Sequence, residues 1–201
     1  MLKLAGELLE GQLADHIACL DAHIKSPREV FRTGEYMMPF VLSRYTITQT
    51  AMVANTLYAV PFLAARDMTV DRIAVYVVTL DSGKSARMGI YNDGTNLYPG
   101  SLLLDAGEVS VGSGGIKAIT IDQSLTKGIY WLVIVSDGTP TVRILSYADT
   151  LLGLNSVHTY SQTGWSVSHS YAALPDPFTA DGSLVTDTIK FCVCLRLKTL
   201  D

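Results

Sequence analysis

The chain has 201 residues, of which 48% are apolar and 17% charged, with a net charge of −4. That length suits one large β domain with a small appendage and argues against a second full domain. The mild acidity leaves no basic footprint for nucleic acid or an anionic membrane surface, and a charged fraction below the usual quarter or so fits either many buried strands or a surface covered by another subunit.

The first 25 or so residues predict an amphipathic helix, since Leu9, Leu13, Ile17, Leu20 and Ile24 recur at helical spacing and line up one apolar stripe. Ser26-Pro27 ends it. Gly6 and Gly11 each cost about 1 kcal/mol relative to alanine, so the helix needs a surface to lean on: copies of itself, another protein of an assembly, or its own β domain, and it reads as an oligomerisation or docking element. His16, Cys19 and His23 share one helical face, where they border the packing stripe better than they make a metal site. The polar run from Arg28 to Tyr36 reads as a linker, which divides the chain into a helix-and-linker region, 1–36, and a β domain, 37–201.

From there period-2 patterns take over. Strands are expected over about 38–49, 56–64, 70–79, 85–92, 102–111, 116–122, 128–136, 140–148, 156–162 and 187–198, with Pro61 marking an edge or bulge. Between them Asn92-Asp93-Gly94, Tyr98-Pro99-Gly100, Gly112 to Gly115 and Asp137-Gly138 are turn signals. The fold class is mainly β, an antiparallel sandwich of jelly-roll-like type preceded by the short helix. Arg87 is expected to pair with an acid such as Asp71 or Asp105.

The stretch from Asn155 to Ser183 is rich in Ser, Thr, Tyr, Gly and Pro and predicts a long excursion with at most one hairpin. Its aromatics Tyr160, Trp165, Tyr171 and Phe178 are the candidate binding residues. Three roles stay open for them: anchoring the loop on the core, forming a subunit interface, or stacking on a glycan. The last strand alternates cleanly, Ile189, Phe191, Val193, Leu195 and Leu197 facing the core and Lys190, Cys192, Cys194, Arg196 and Lys198 facing water. Cys19, Cys192 and Cys194 cannot all pair within one chain and read as small apolar fillers. No metal and no cofactor is expected.

Catalytic signatures are missing: there is no Gly-x-Ser-x-Gly elbow, and the glycines at 112–115 lack the Lys-Ser/Thr of a phosphate loop. Ser161, Ser166, His158, His169 and Asp176 cluster in sequence through the composition of a turn-rich segment, so no catalytic residue is assigned. No run of about 18 apolar residues predicts a membrane span and no signal segment opens the chain; the protein is expected to be made without export.

The segments Ala54 to Phe62 (ANTLYAVPF), Met68 to Ile73 (MTVDRI), Ala86 to Gly94 (ARMGIYNDG), Tyr98-Pro99-Gly100, Leu104 to Glu108 (LDAGE), Leu125 to Trp131 and Val135 to Gly138 together resemble a β domain common in structural proteins of tailed bacteriophages. The resemblance covers about residues 54 to 145, and the segment Leu13 to His23 is similar to short helical connectors of phage fibre proteins. It implies a non-enzymatic virion component made in the host cytoplasm: a tail, head or collar fibre module, or a capsid decoration protein, as a homotrimer. The partners implied are further copies of the chain, other virion proteins and, for a receptor-binding module, a host cell-surface glycan.

Overall fold

The computed structural model describes residues 32–39, 46–146, 162–186 and 190–200. The chain divides into two compact units, Met1–Arg32 and Thr33–Asp201. The expected helix with its stripe Leu9, Leu13, Ile17, Leu20 and Ile24 lies outside the described residues, as does Tyr160.

The second unit is mainly β, and no helix occurs among the described residues. Its strands are β1 (Tyr36–Met37), β2 (Thr46–Ala51), β3 (Thr56–Ala64), β4 (Met68–Thr79), β5 (Ser85–Asp93), β6 (Pro99–Ser110), β7 (Gly115–Leu125), β8 (Gly128–Ser136), β9 (Thr141–Ser146), β10 (Gln162–Ser168), β11 (Ser183–Thr186), β12 (Lys190–Phe191) and β13 (Cys194–Leu200). They form two antiparallel sheets. The six-stranded sheet runs β11-β10-β3-β8-β5-β6, and the seven-stranded sheet follows β1-β13-β4-β9-β12 with β7 added to β4 and β2 to β9. The two sheets meet through side chains of alternating positions; Tyr58 of β3, for example, packs its ring 4.4 Å from that of Phe191 in β12.

The central strands β3, β8 and β5 of the six-stranded sheet are buried on both faces. Tyr58, Val60 and Phe62 of β3 and Leu132 and Ile134 of β8 fill one side, while Leu57, Ala59, Tyr91, Trp131, Val133 and Val135 cluster on the other with Leu174 and Phe178. The cover on that second side is the segment 169–182, which joins β10 to β11 and crosses the sheet as a strap. This is the single hairpin expected within the late excursion. Pro61 sits in β3 just past the end of the β10 pairing, which stops at Ala59↔Trp165, while the β8 pairing continues to Ala64↔Gly128. The missing N–H of Pro61 therefore interrupts no ladder there.

Arg87 takes Asp105 as its partner, with Nη1 2.9 Å from both carboxylate oxygens. Asp71 instead binds Arg196 through two bonds of 2.8 and 2.6 Å.

Three local expectations need correction. The polar run ending at Tyr36 is partly sheet: the Gly34 amide donates to the Leu197 carbonyl at 2.8 Å, and Tyr36 pairs with Arg196. The strand expected over 38–49 is found only from Thr46; Met38 and Pro39 are not in a strand. The final strand is two pieces, because β12 pairs with β9 and β13 with β4. Strands β4 and β9 touch at Val77↔Val142, and the chain from Lys190 to Leu197 fits where they diverge. Lys190 is therefore fully buried and Cys192 nearly so, although alternation alone puts both on a wet face.

Candidate functional site

Of the four aromatic candidates, three are described and all three gather around the strap. Phe178 is only 4% exposed, and its ring edges against Tyr91 at 5.3 Å and Tyr98 at 5.6 Å. It is an anchor of the strap, with no free face to offer a ligand. Tyr171 donates its hydroxyl to Glu108 Oε2 at 2.8 Å, while its amide donates to Asn55 Oδ1 at 2.9 Å. Burial, and next the Glu108 carboxylate, push its phenol up from the usual range.

The strap is held by carboxylates as well as by rings. Asp105 accepts from the amides of Leu174 at 3.1 Å and Gly107 at 2.9 Å besides pairing with Arg87. Burial alone raises an acid's pKa, but these donors outweigh it and hold the Asp105 carboxyl below its usual value. Asp176 accepts from the Leu102 amide at 2.9 Å, and the Tyr91 hydroxyl donates to the Pro175 carbonyl. Burial first, and then the negative charges of Asp105 and Asp176, drive the Tyr91 phenol well above its ordinary pKa.

Trp165 is different because it remains only partly buried. It sits on β10 between Ala59 and Leu184, donates its indole N–H to the Leu97 carbonyl at 2.8 Å, and meets the Tyr98 ring at 4.8 Å and 65°. Tyr98 in turn donates to the Thr179 carbonyl at 2.6 Å and accepts from the Gly182 amide at 2.8 Å. Around this pair opens a shallow depression of about 390 Å³ lined by Thr95, Asn96, Tyr98, Trp165, Ala180, Asp181 and Gly182.

Its rim is conformationally demanding. Asn96, Leu97 and Asp181 hold φ of 57°, 53° and 61°, in the left-handed region that Asn and Asp visit readily and Leu rarely. The Leu97 conformation costs about 1–2 kcal/mol, and the Leu97 carbonyl is held by the bond from Trp165. Two aromatic rings beside an amide, a hydroxyl and a carboxylate make a surface suited to a polyhydroxylated ligand: rings for C–H faces, polar groups for hydroxyls.

Sequence reasoning singled out Trp165 but missed Tyr98, Thr95, Asn96 and Asp181. The first three lie in the β5–β6 turn and Asp181 at the end of the strap; their juxtaposition is tertiary, and turn residues carry no signal of what they will face. No protein-family model matches this chain, and no curated protein matches it either.

A second depression, of about 300 Å³, lies on the seven-stranded sheet. Tyr36, Ile47 and Ile116, which are 37%, 51% and 60% exposed, border it. Arg143 lies within it, its guanidinium carbon 3.8 Å from the centroid of the Tyr76 ring, a cation–π distance. Cys192 and Cys194 complete the lining, with their sulfurs 3.5 Å apart.

Proposed function

We propose that this chain is a non-enzymatic structural protein of a tailed-bacteriophage virion, an appendage module that works as a homotrimer. In this reading Thr33–Asp201 is a β-sandwich of jelly-roll-like type, and the N-terminal segment anchors it to the particle. The resemblance of residues 54 to 145 to phage β domains motivates the reading. The observation that carries it is the use made of the acidic side chains. Asp67, Asp71, Asp81, Asp93, Asp105, Glu108, Asp137 and Asp176 all accept hydrogen bonds that tie one strand or loop to another. Such carboxylates are spent on rigidity, as a load-carrying scaffold needs, and not gathered for proton transfer.

Multi-angle light scattering on the full chain tests the assembly, with three copies expected; a stable monomer refutes the trimer. Immunogold labelling of purified particles tests the location, and label confined to a few appendages per particle is expected. Hundreds of labels spread over the capsid mean a decoration protein instead.

The Trp165 depression favours a second reading, in which the module also contacts a host cell-surface glycan. Asp181→Asn keeps the left-handed backbone accessible while removing the charge, and Trp165→Ala removes the stacking face. Both are expected to reduce adsorption to host cells at least tenfold while leaving the oligomer unchanged. Adsorption equal to that of the parent chain in both variants rules out a glycan site here.

A further inference from the structure

We propose that Cys192 and Cys194, together with the thioether of Met38, form a binding site for a soft monovalent metal ion of the Cu(I) type. Two residues apart on a regular strand means a separation of about 6.7 Å along the chain, which two short side chains close only by leaning toward each other. Here the chain is pinched. The Val193 amide donates to the Phe191 carbonyl at 3.0 Å, a three-residue turn around Cys192, placed where the chain passes from the β9 edge to the β4 edge. The turn brings the two sulfurs to 3.5 Å. Sulfurs that share one ion at bonds of about 2.3 Å stand roughly 3.8 Å apart at tetrahedral angles and roughly 4.0 Å apart at the trigonal angles of a three-donor site, so the pair has to part by only a few tenths of an ångström to take an ion, whereas a disulfide needs it to close to about 2.05 Å. The pair is spaced for chelation.

The surroundings select the ion. Met38 and Cys194 both pack against the buried cluster of Leu145 and Cys192, and all three sulfur residues line the same cavity, so the donors on offer are two thiols and a thioether, the set that favours Cu(I). Among the described residues no three His, Cys, Asp or Glu come together, which leaves a zinc shell incomplete. Two thiolates and one Cu(I) carry a net charge of −1, and the Arg143 guanidinium in the same cavity offsets it. Binding converts two thiols and one Cu(I) into a bis-thiolate complex and releases two protons, with no change of oxidation state.

The test uses the full chain carrying Cys19→Ser, which removes the remaining thiol, reduced and titrated anaerobically with Cu(I) against a chromogenic Cu(I) chelator. One ion per chain is expected, with sulfur as the only neighbour in its X-ray absorption spectrum. Cys192→Ser and Cys194→Ser should each abolish chelator-competitive binding, and Met38→Leu should weaken it roughly tenfold without moving the melting temperature. Unchanged binding in the serine variants overturns the proposal, as does a nitrogen or oxygen shell in the parent spectrum. The parent spectrum decides the matter if a serine variant fails to fold.

Discussion

Single residues decide where the strap can lie. At Gly89 an added Cβ meets Leu174 Cδ1 at 2.3 Å and the Leu104 carbonyl at 2.5 Å; the side-chain tip could yield, but the backbone oxygen cannot. Gly89→Ala is therefore expected to destabilise the protein by about 1–3 kcal/mol, measured by urea unfolding. A midpoint equal to that of the parent would show that β5 and β6 part more easily than their packing suggests. Asp105 is the other decisive residue. It serves the amides of Leu174 and Gly107 and the Arg87 guanidinium at once, and Arg87 Nε is already buried without a hydrogen-bond partner. Asp105→Ala strands these donors and is expected to cost about 2–4 kcal/mol. Asp105→Asn, which keeps acceptor oxygen but loses the charge, should cost less in the same assay.

Among elements, the strap 169–182 is held by a few anchors, and Phe178 is the largest that its sheet buries. Phe178→Ala is expected to cost about 3 kcal/mol and to open the segment between His169 and Gly182 to limited proteolysis before the sheets unfold. Cleavage first in the β2–β3 or β8–β9 connections would show that the strap does not depend on this ring. The strands from Thr56 to Ser146 were readable in the sequence because alternating apolar positions and Gly- or Pro-containing turns report local geometry directly. The Arg87 to Asp105 pair could be anticipated on the same basis, since β5 and β6 are hairpin neighbours. The sheet order, the cover over Trp131 and the gathering of Tyr98 with Trp165 depend on contacts between distant segments, which period-2 patterning does not encode. The last strand misled for a related reason: alternation presumes one partner on each side, and the switch of edge between Phe191 and Cys194 pinches the chain and buries Lys190.

At the level of the whole molecule, its ionisable groups narrow the pH range of stability from both ends. The Asp71 carboxyl, held down chiefly by its hydrogen bonds from Arg196, and that of Asp105 have folded pKa values below their unfolded ones. Their stabilisation is complete above pH of about 4 and is lost as the pH falls through the depressed values. The phenols of Tyr91 and Tyr171 are shifted the other way, chiefly by burial; the unfolded chain ionises first, so stability declines as the pH rises above about 10. Melting temperatures across pH 2–12 should thus form a plateau with two shoulders. Tyr91→Phe should soften the alkaline one, and an unaltered alkaline shoulder in that variant would assign it to other groups.

The strap also changes what the six-stranded sheet is. Its central strands, buried on one side around Tyr58 and Phe62 and covered by the chain's own strap on the other, become a middle layer, and β8 accordingly reads Ile129-Tyr-Trp-Leu-Val-Ile-Val135 without a polar break. A middle layer has no broad face left to share. Among the described residues, a neighbour that approaches this unit meets the seven-stranded sheet, the back of the strap or a strand edge more readily than the face around Trp131, so that the way copies can be arranged side by side is narrowed by a segment that belongs to neither sheet.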